Sequence, residues 1–555
     1  MPGRARKNTH AALQASPTRQ NRWAAFAARA IQRWAPHMLL VFAFALRAAN
    51  ITGESLWRDE VDTIRFAFVS FDQLLGNLTR AGFNGPLYHL LMRGWLTLAG
   101  VNDFAVRYFS LLCGVAQTAM IFALTHRLFG RRAAVIAMGL SAIAPALIWY
   151  GAEGKMYTLQ PLLIATALYA LRRATLGAPP SARWWSVFIV ATSLGYYTHL
   201  LTPLFLPVAG VFALSWLPQT RRHWKGATLA LTLCTLPYLP LVAWQLPLWL
   251  QGADSGHPAY PLDVMALSLL YNWSIGLSSR PPFDIGAPTI WLGILSFGGM
   301  AIIGIAAAYG RRQWSMIGVV AWLALPTLLV FLVSTRVPVF QPRYLLWCAP
   351  ALYVLAALGV ERLWQHRTLF AGLAVIWLGV FSAWGFVAQA AQPIRPDLRG
   401  AAQYVAAQLA DEDRLVFQIP YTRFAFQYYL PHFAPSLPVD AEPAPDDGLS
   451  TLAGLRQRIM DGPYTNNGGG PASVDAALRG LITPNQRVWL IEAEVPLWDE
   501  QGLTRAWFDQ RMTVLSRRDF RGVSASLYQV HLPHTIYLPG VTTSAPPAES
   551  PPSVP

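Results

Sequence analysis

The stretch Ser55-Leu56-Trp57-Arg58-Asp59-Glu60-Val61-Asp62 sets two adjacent carboxylates, Asp59 and Glu60, a few residues beyond the apolar run Met38–Leu46. If that run crosses a bilayer, the carboxylates lie at a membrane surface beside a Trp, the aromatic suited to the interface. They can there meet a polar group presented by lipid. Two readings fit the local sequence. Asp-Glu can simply open a surface helix, because acidic side chains favour the first turn, or Asp59 can serve as a catalytic base with Glu60 beside it. The rest of the chain weighs between them.

With 555 residues, 54% hydrophobic and only 13% charged, and with a positive mean hydropathy, the composition is not that of an ordinary soluble enzyme. Many apolar runs approach the ~20 residues that cross a bilayer. The net charge of +15 would suit nucleic acid, but Lys and Arg fall between apolar segments instead of along one face. The partner expected from this pattern is the lipid bilayer, with no nucleic acid. Cys113, Cys234 and Cys348 lie inside apolar runs without CxxC or Cys/His spacing, so they read as packing residues.

Residues 1–30 are basic and carry no acid, which predicts a cytoplasmic N-terminus ahead of an uncleaved first span. The basic connectors His126–Arg132, Arg172-Arg173 with Arg183, Arg221–Lys225, Arg311-Arg312 and Arg362 with Arg367 should also be cytoplasmic. That holds only if Pro86–Gly100, interrupted by Arg93, lies along the surface without crossing. The spans then fall at 31–50, 104–126, 133–150, 155–173, 184–200, 201–218, 226–248, 287–309, 314–335, 344–363 and 368–390. About eleven helices of spanning length leave the C-terminus outside, together with a large first loop over 51–103 and a longer segment over 249–286.

The fold class predicted is thus an α-helical polytopic domain over 31–391 followed by a small extracytoplasmic α/β domain over 392–540. Within the latter, 399–409 has helical periodicity, 414–419, 487–492 and 524–530 read as strands, and 499–511 as a helix. The glycines of Asp461–Pro471 belong to a loop without a phosphate-loop lysine. The Pro/Ser/Ala tail, 541–555, cannot build a core.

The order of "SLWRDE", "NGPLYHLL", "RYFS", "IWYGAEGKMYTL", "GYYTHL" and "QPRYLLWCAP" between Trp34 and Leu363, with "IRPDLRGAAQYVA" after them, resembles the polytopic glycosyltransferases of the GT-C superfamily. The nearest branch is the bacterial family-39-like proteins, related to protein O-mannosyltransferases and to the aminoarabinose transferase of lipid A. The resemblance implies an enzyme of the bacterial inner membrane. It would transfer a sugar from a polyprenyl-phosphate donor to an acceptor on the extracytoplasmic face, inverting the anomeric centre, with the first-loop acid as base. No cofactor is required on this reading, although a divalent cation at Asp59/Glu60 is one possibility. Relatives more often carry Gln-Glu-Ala-Arg where this chain has Ala152-Glu153-Gly154-Lys155, which keeps a positive charge but loses the guanidinium fork.

The chemistry agrees with the residues. A hydroxyl acceptor needs a carboxylate to take its proton, the role given to Asp59 with Glu60 as helper or metal ligand. The departing lipid phosphate needs positive charge or donors, for which Arg343, beside Tyr344 at the head of a span, is the first candidate and Lys155 the second; Arg343 reads equally as a topological anchor or a snorkelling side chain. Tyr88, His89, Glu153, Tyr157, His199 and His257 are further candidates for lining the substrate cavity, though aromatic and His residues at interfaces are commonly structural. A lipid or glycan transporter, or a non-catalytic assembly partner, remain the alternatives; a transporter would carry its charges mid-span in matched halves.

Overall fold

The computed structural model describes residues 19–77, 83–176, 182–217, 219–251, 258–276, 288–391, 394–440, 448–466, 468–481, 483 and 486–530. His257, most of the basic N-terminus and the Pro-rich tail fall outside them. The chain divides into two compact units, Met1–Arg395 with Val439–Thr451, and Pro396–Pro438 with Leu452–Pro555.

The first unit is helical: α1 (Arg19–Ala48), α2 (Arg58–Phe68), α3 (Phe71–Asn77), α4 (Leu87–Ala99), α5 (Asp103–Phe129), α6 (Arg131–Ile143), α7 (Pro145–Gly151), α8 (Leu159–Leu176), α9 (Ala182–Tyr196), α10 (Phe205–Ser215), α11 (Trp224–Thr235), α12 (Leu239–Leu250), α13 (Leu262–Ser274), α14 (Pro288–Gly310), α15 (Ser315–Ser334), α16 (Ala349–His366) and α17 (Thr368–Ala391). It is a multi-pass membrane protein. Among the described residues six helical stretches are long and apolar enough to cross: Asp103–Phe129, Gln219–Trp244, Trp291–Gly310, Ser315–Ser334, Pro342–His366 and Thr368–Ala391. The bent pair α6 and α7 makes a seventh if counted as one span. Length and composition therefore give fewer crossings than the eleven expected, in part because several of the remaining segments are short or broken. At 13 residues, α4 is about 20 Å long, too short for a core of about 30 Å.

Pro145 explains the bend between α6 and α7, which reaches 61°. It has no N–H to continue the helix, which frees carbonyls at the end of α6 in a region where water cannot satisfy them. Arg47, buried near the end of α1, takes two of them: it donates from Nη1 to Ala142 O at 3.2 Å and from Nη2 to Ser141 O at 3.3 Å. Its stem passes Gly114 and Gly151, where an added Cβ would come within 3.3 and 2.9 Å of it. The Arg that interrupts the first apolar run thus stitches the broken span.

At the centre lies α16, buried from Ala349 to Val360. It crosses α14 where Gly304 faces Leu355 O and Gly359 faces Met300 O, so closely that a Cβ at either glycine would sit 2.1 Å from the opposing carbonyl oxygen. Small residues allow this backbone approach between membrane helices. The 3₁₀ segment Pro342–Cys348 feeds into α16, and Trp322 Nε1 donates to Trp347 O at 2.9 Å. Arg343 and Tyr344 therefore stand on an anchored segment.

The second unit contains α18 (Leu398–Ala406), β1 (Arg414–Phe417), α19 (Thr422–Phe433), α20 (Leu455–Arg458), β2 (Ile459–Asp461), α21 (Pro471–Leu478), β3 (Arg487–Ala493), α22 (Leu503–Arg511), β4 (Met512–Phe520) and β5 (Val523–Val530). Its sheet has the order β2-β1-β3-β5-β4. The β1 strand runs parallel to β2 and β3, and β5 runs antiparallel to β3 and β4. Val416, Val488, Leu490, Tyr528 and Val530 pack against Val474, Leu478, Trp507 and Phe508 from α21 and α22. The strands read from sequence are β1, β3 and β5. The other two were missed for physical reasons: β2 is three residues long, and β4 is a mostly exposed edge strand rich in charge, with an irregularity between Val514 and Ser516.

Candidate active site

Adjacent residues on a helix diverge by about 100°, and α2 uses this to send Asp59 and Glu60 to different partners. Glu60 is fully buried. Its Oε1 accepts from Arg107 Nε at 2.7 Å and from Gly154 N–H at 3.0 Å. Its Oε2 accepts from Arg107 Nη2 at 2.7 Å and from Trp57 N–H, at the helix start, at 3.4 Å, with Arg395 Nη1 3.6 Å away. Burial raises its pKa, but Arg107 and Arg395 overcome this and hold it at about 2. The expectation that Asp-Glu opens a helix is met, and Glu60 is also an ion-pair residue.

Arg107 also donates from Nη1 to Ile51 O and Glu54 O, at 2.7 and 2.8 Å, and from Nη2 to Ser55 O at 3.0 Å. One guanidinium on α5 thereby folds the first loop and fixes the start of α2. Gly154 closes the arrangement: its carbonyl accepts from Thr63 Oγ1 at 2.8 Å, and a Cβ there would approach Val106 Cγ1 to 2.4 Å. Glycine in "AEGK" lets this loop lie against α5.

Asp59 turns instead to Arg343, whose Nη1 donates to Oδ2 at 3.1 Å, and both side chains are 23% exposed. Burial pushes the Asp59 carboxyl up, but Lys155 and Arg343, with Arg58, more than offset it, so the group lies below its ordinary value and is ionised at neutral pH. Arg343 lies over the rings of Trp57, Tyr157 and Tyr344 at 5.9, 5.7 and 5.7 Å. Tyr157 and Tyr344 lie 6.3 Å apart, with the His199 ring 6.4 and 5.0 Å from them.

Residues from six quoted motifs thus converge. Lys155 is 8% exposed and is the largest positive influence on Asp59. Two of the expected cavity residues sit behind the site. Tyr88 is buried and its hydroxyl meets Ser110 Oγ at 2.8 Å, while Ser110 Oγ donates to Lys155 O at 2.9 Å, so Tyr88 braces the Lys155 loop. His89 packs against Phe66 at 5.3 Å and is held neutral, near 3, by burial and then by Lys155. "NGPLYHLL" docks on "GYYTHL" through Leu87 N–H to Tyr197 O at 2.9 Å, an approach that only a glycine at 85 permits.

The polar atoms left over in this region are its distinguishing feature. Both oxygens of Glu153, His199 Nε2, Trp57 Nε1 and Arg343 Nε are buried without a hydrogen-bond partner, although buried polar groups are nearly always paired. Burial raises Glu153 to about 7 against the pull of Arg395 and Arg343. The stability associated with this shift is full below the ordinary value of 4.5 and is lost as pH rises through about 7, because the folded protein resists ionising the group. Glu153→Gln is expected to raise stability by about 3 kcal/mol at pH 8 and hardly at pH 4.5, read as a pH-dependent rise in melting temperature.

The sequence family described as dolichyl-phosphate-mannose-protein mannosyltransferase matches residues 84–244. A search of curated protein sequences returns no match. Among solved structures, apo ArnT from Cupriavidus metallidurans superposes with a TM-score of 0.53 at 14% identity, covering 91% of this chain and 98% of that one. The GT-C fold is present. The same ArnT bound to undecaprenyl phosphate gives a TM-score of 0.50 at 14% identity, over 89% and 97% of the two chains. The archaeal oligosaccharyltransferase AglB from Archaeoglobus fulgidus, in complex with an inhibitory peptide and a dolichol-phosphate, gives 0.53 at 13% identity, over 92% and 75%.

Within this GT-C fold, sequence reasoning missed Arg107 and Arg395. Arg107 was visible only as part of "RYFS". Arg395, in "PIRPD", stacks on Trp149 at 4.7 Å and approaches Glu54 and Glu60 at 3.7 and 3.6 Å. A divalent cation does not fit the Asp59/Glu60 pair, because each Glu60 oxygen already faces two donors. Among the described residues no three His, Cys, Asp or Glu side chains are grouped to hold a metal.

Proposed function

We propose that the protein transfers a sugar from a polyprenyl-phosphate-linked donor to an acceptor at the extracytoplasmic membrane face, inverting the anomeric centre. The acceptor oxygen attacks the anomeric carbon as the bond to phosphate breaks. The Asp59 carboxylate takes the acceptor proton, and the electron pair leaves on the phosphate, stabilised by Arg343 and Lys155. Glu60 is a structural ion-pair residue in this reading. The C-terminal α/β unit is extracytoplasmic in this reading, and eleven crossings from a cytoplasmic N-terminus remain the proposed topology.

What carries the reading is the set of buried, unpartnered polar atoms around the Asp59–Arg343 pair, which suits a polar, anionic ligand. The likeness of the fold to structures holding undecaprenyl phosphate and dolichol-phosphate supports the donor class. Arg343 is paired with Asp59. Donor phosphate would draw Arg343 away and leave the base free.

Arg343→Ala tests this directly. A hydrogen bond to a charged group contributes about 1.5–3 kcal/mol, so affinity for undecaprenyl phosphate in nanodiscs is expected to fall roughly 10–100-fold. Unchanged affinity would remove Arg343 from the phosphate site.

A further inference from the structure

One donor near Arg343 has no assigned task. His199 is fully buried in the turn after α9, and its Nδ1 lies 3.2 Å from the Leu201 backbone nitrogen. A backbone N–H can only donate, so Nδ1 accepts and the proton of the neutral imidazole sits on Nε2. That Nε2–H has no partner. The ring meets Tyr344 edge-on at 5.0 Å, and Tyr344 is one of the rings under the Arg343 guanidinium.

We infer that His199 Nε2–H is an uncharged hydrogen-bond donor to the phosphate of the lipid donor, acting beside Arg343. The inference rests on the reading given under Proposed function and adds a binding residue to it. An imidazolium beside the guanidinium would suffer like-charge repulsion. A neutral N–H can share the same anionic oxygens without that cost. The leaving phosphate gains charge as the sugar bond breaks, so a fixed, buried donor aimed at it strengthens as the reaction proceeds. His199 donates this hydrogen bond without transferring its proton.

Two substitutions separate this role from a structural one. Gln carries an amide N–H close to the place of Nε2 and nothing at Nδ1; Asn carries a carbonyl close to Nδ1 and no donor at Nε2. Undecaprenyl phosphate without sugar is titrated into the full-length protein in nanodiscs, the parent first, with melting temperature recorded for each variant. His199→Gln is expected to bind within roughly threefold of the parent, and His199→Asn about tenfold more weakly. The inference is overturned if Asn binds like the parent while Gln fails, because His199 then serves only the Leu201 turn. Parental binding in both variants, or equal loss in both with equal loss of melting temperature, overturns it as well. A parent protein that does not bind the lipid phosphate would instead sink the reading of the whole site.

Discussion

Asp59→Asn is expected to lower turnover by roughly 10²–10⁴-fold, the usual range for a lost general base, while the protein stays folded. Asn keeps the shape and one acceptor oxygen toward Arg343 but cannot take a proton. The ion pair adds a second expectation. Asp59 now competes with incoming phosphate for Arg343, so removing its charge should leave the affinity for undecaprenyl phosphate unchanged or tighter. Slower turnover with undiminished donor binding is a combination that a merely structural carboxylate would not give. Transfer at the parent rate by purified Asp59→Asn protein would end the assignment.

The same pair gives a reason for binding order. While Arg343 faces Asp59, each masks the other: the carboxylate is held below its ordinary value, partly by that guanidinium, and the guanidinium is partly neutralised. On the proposed reading, a more basic Asp59 is exposed only when a lipid phosphate has engaged Arg343. Acceptor and water are thereby kept from an idle base.

The class of fold was legible in one sequence, and so were the residues to consider for a site. The apolar runs and the order of six short motifs gave the class of fold, and Asp59, Arg343, Lys155, Glu153, Tyr157 and His199 were all named from motif positions. What the sequence withheld was pairing. Nothing in "DE" says which carboxylate faces inward; that depends on the helical phase of α2 against α5, set by Arg107 forty-seven positions away. Arg395 was equally hidden, because a basic residue between prolines reads as a linker until its contacts with Trp149 and Glu60 are known. The shape of the spans was hidden too: Pro145 bends the one expected over 133–150, and the 3₁₀ segment Pro342–Cys348 opens the one expected over 344–363, since hydropathy registers apolar length but not backbone direction.

Arg107→Ala should have the largest effect on the fold itself. Removing one partner of a buried ion pair costs about 3–5 kcal/mol, and here it leaves Glu60 buried while freeing the carbonyls of Ile51, Glu54 and Ser55. Arg107→Lys should rescue little, because a single ammonium cannot span both Glu60 oxygens and three carbonyls. Glu60→Gln should be milder, since the amide oxygen still accepts from one donor set. Glu60 is held at about 2 against an ordinary 4.5, so the stabilisation is present above 4.5 and is lost as pH falls through about 2. The order of melting temperatures in detergent at pH 7 is therefore parent, then Glu60→Gln, then Arg107→Lys, then Arg107→Ala, with transfer activity falling in the same order as α2 loses its anchor. If Arg107→Ala melts with the parent, the pair is not what fixes α2, and the orientation of Asp59 must be credited to Arg343 alone.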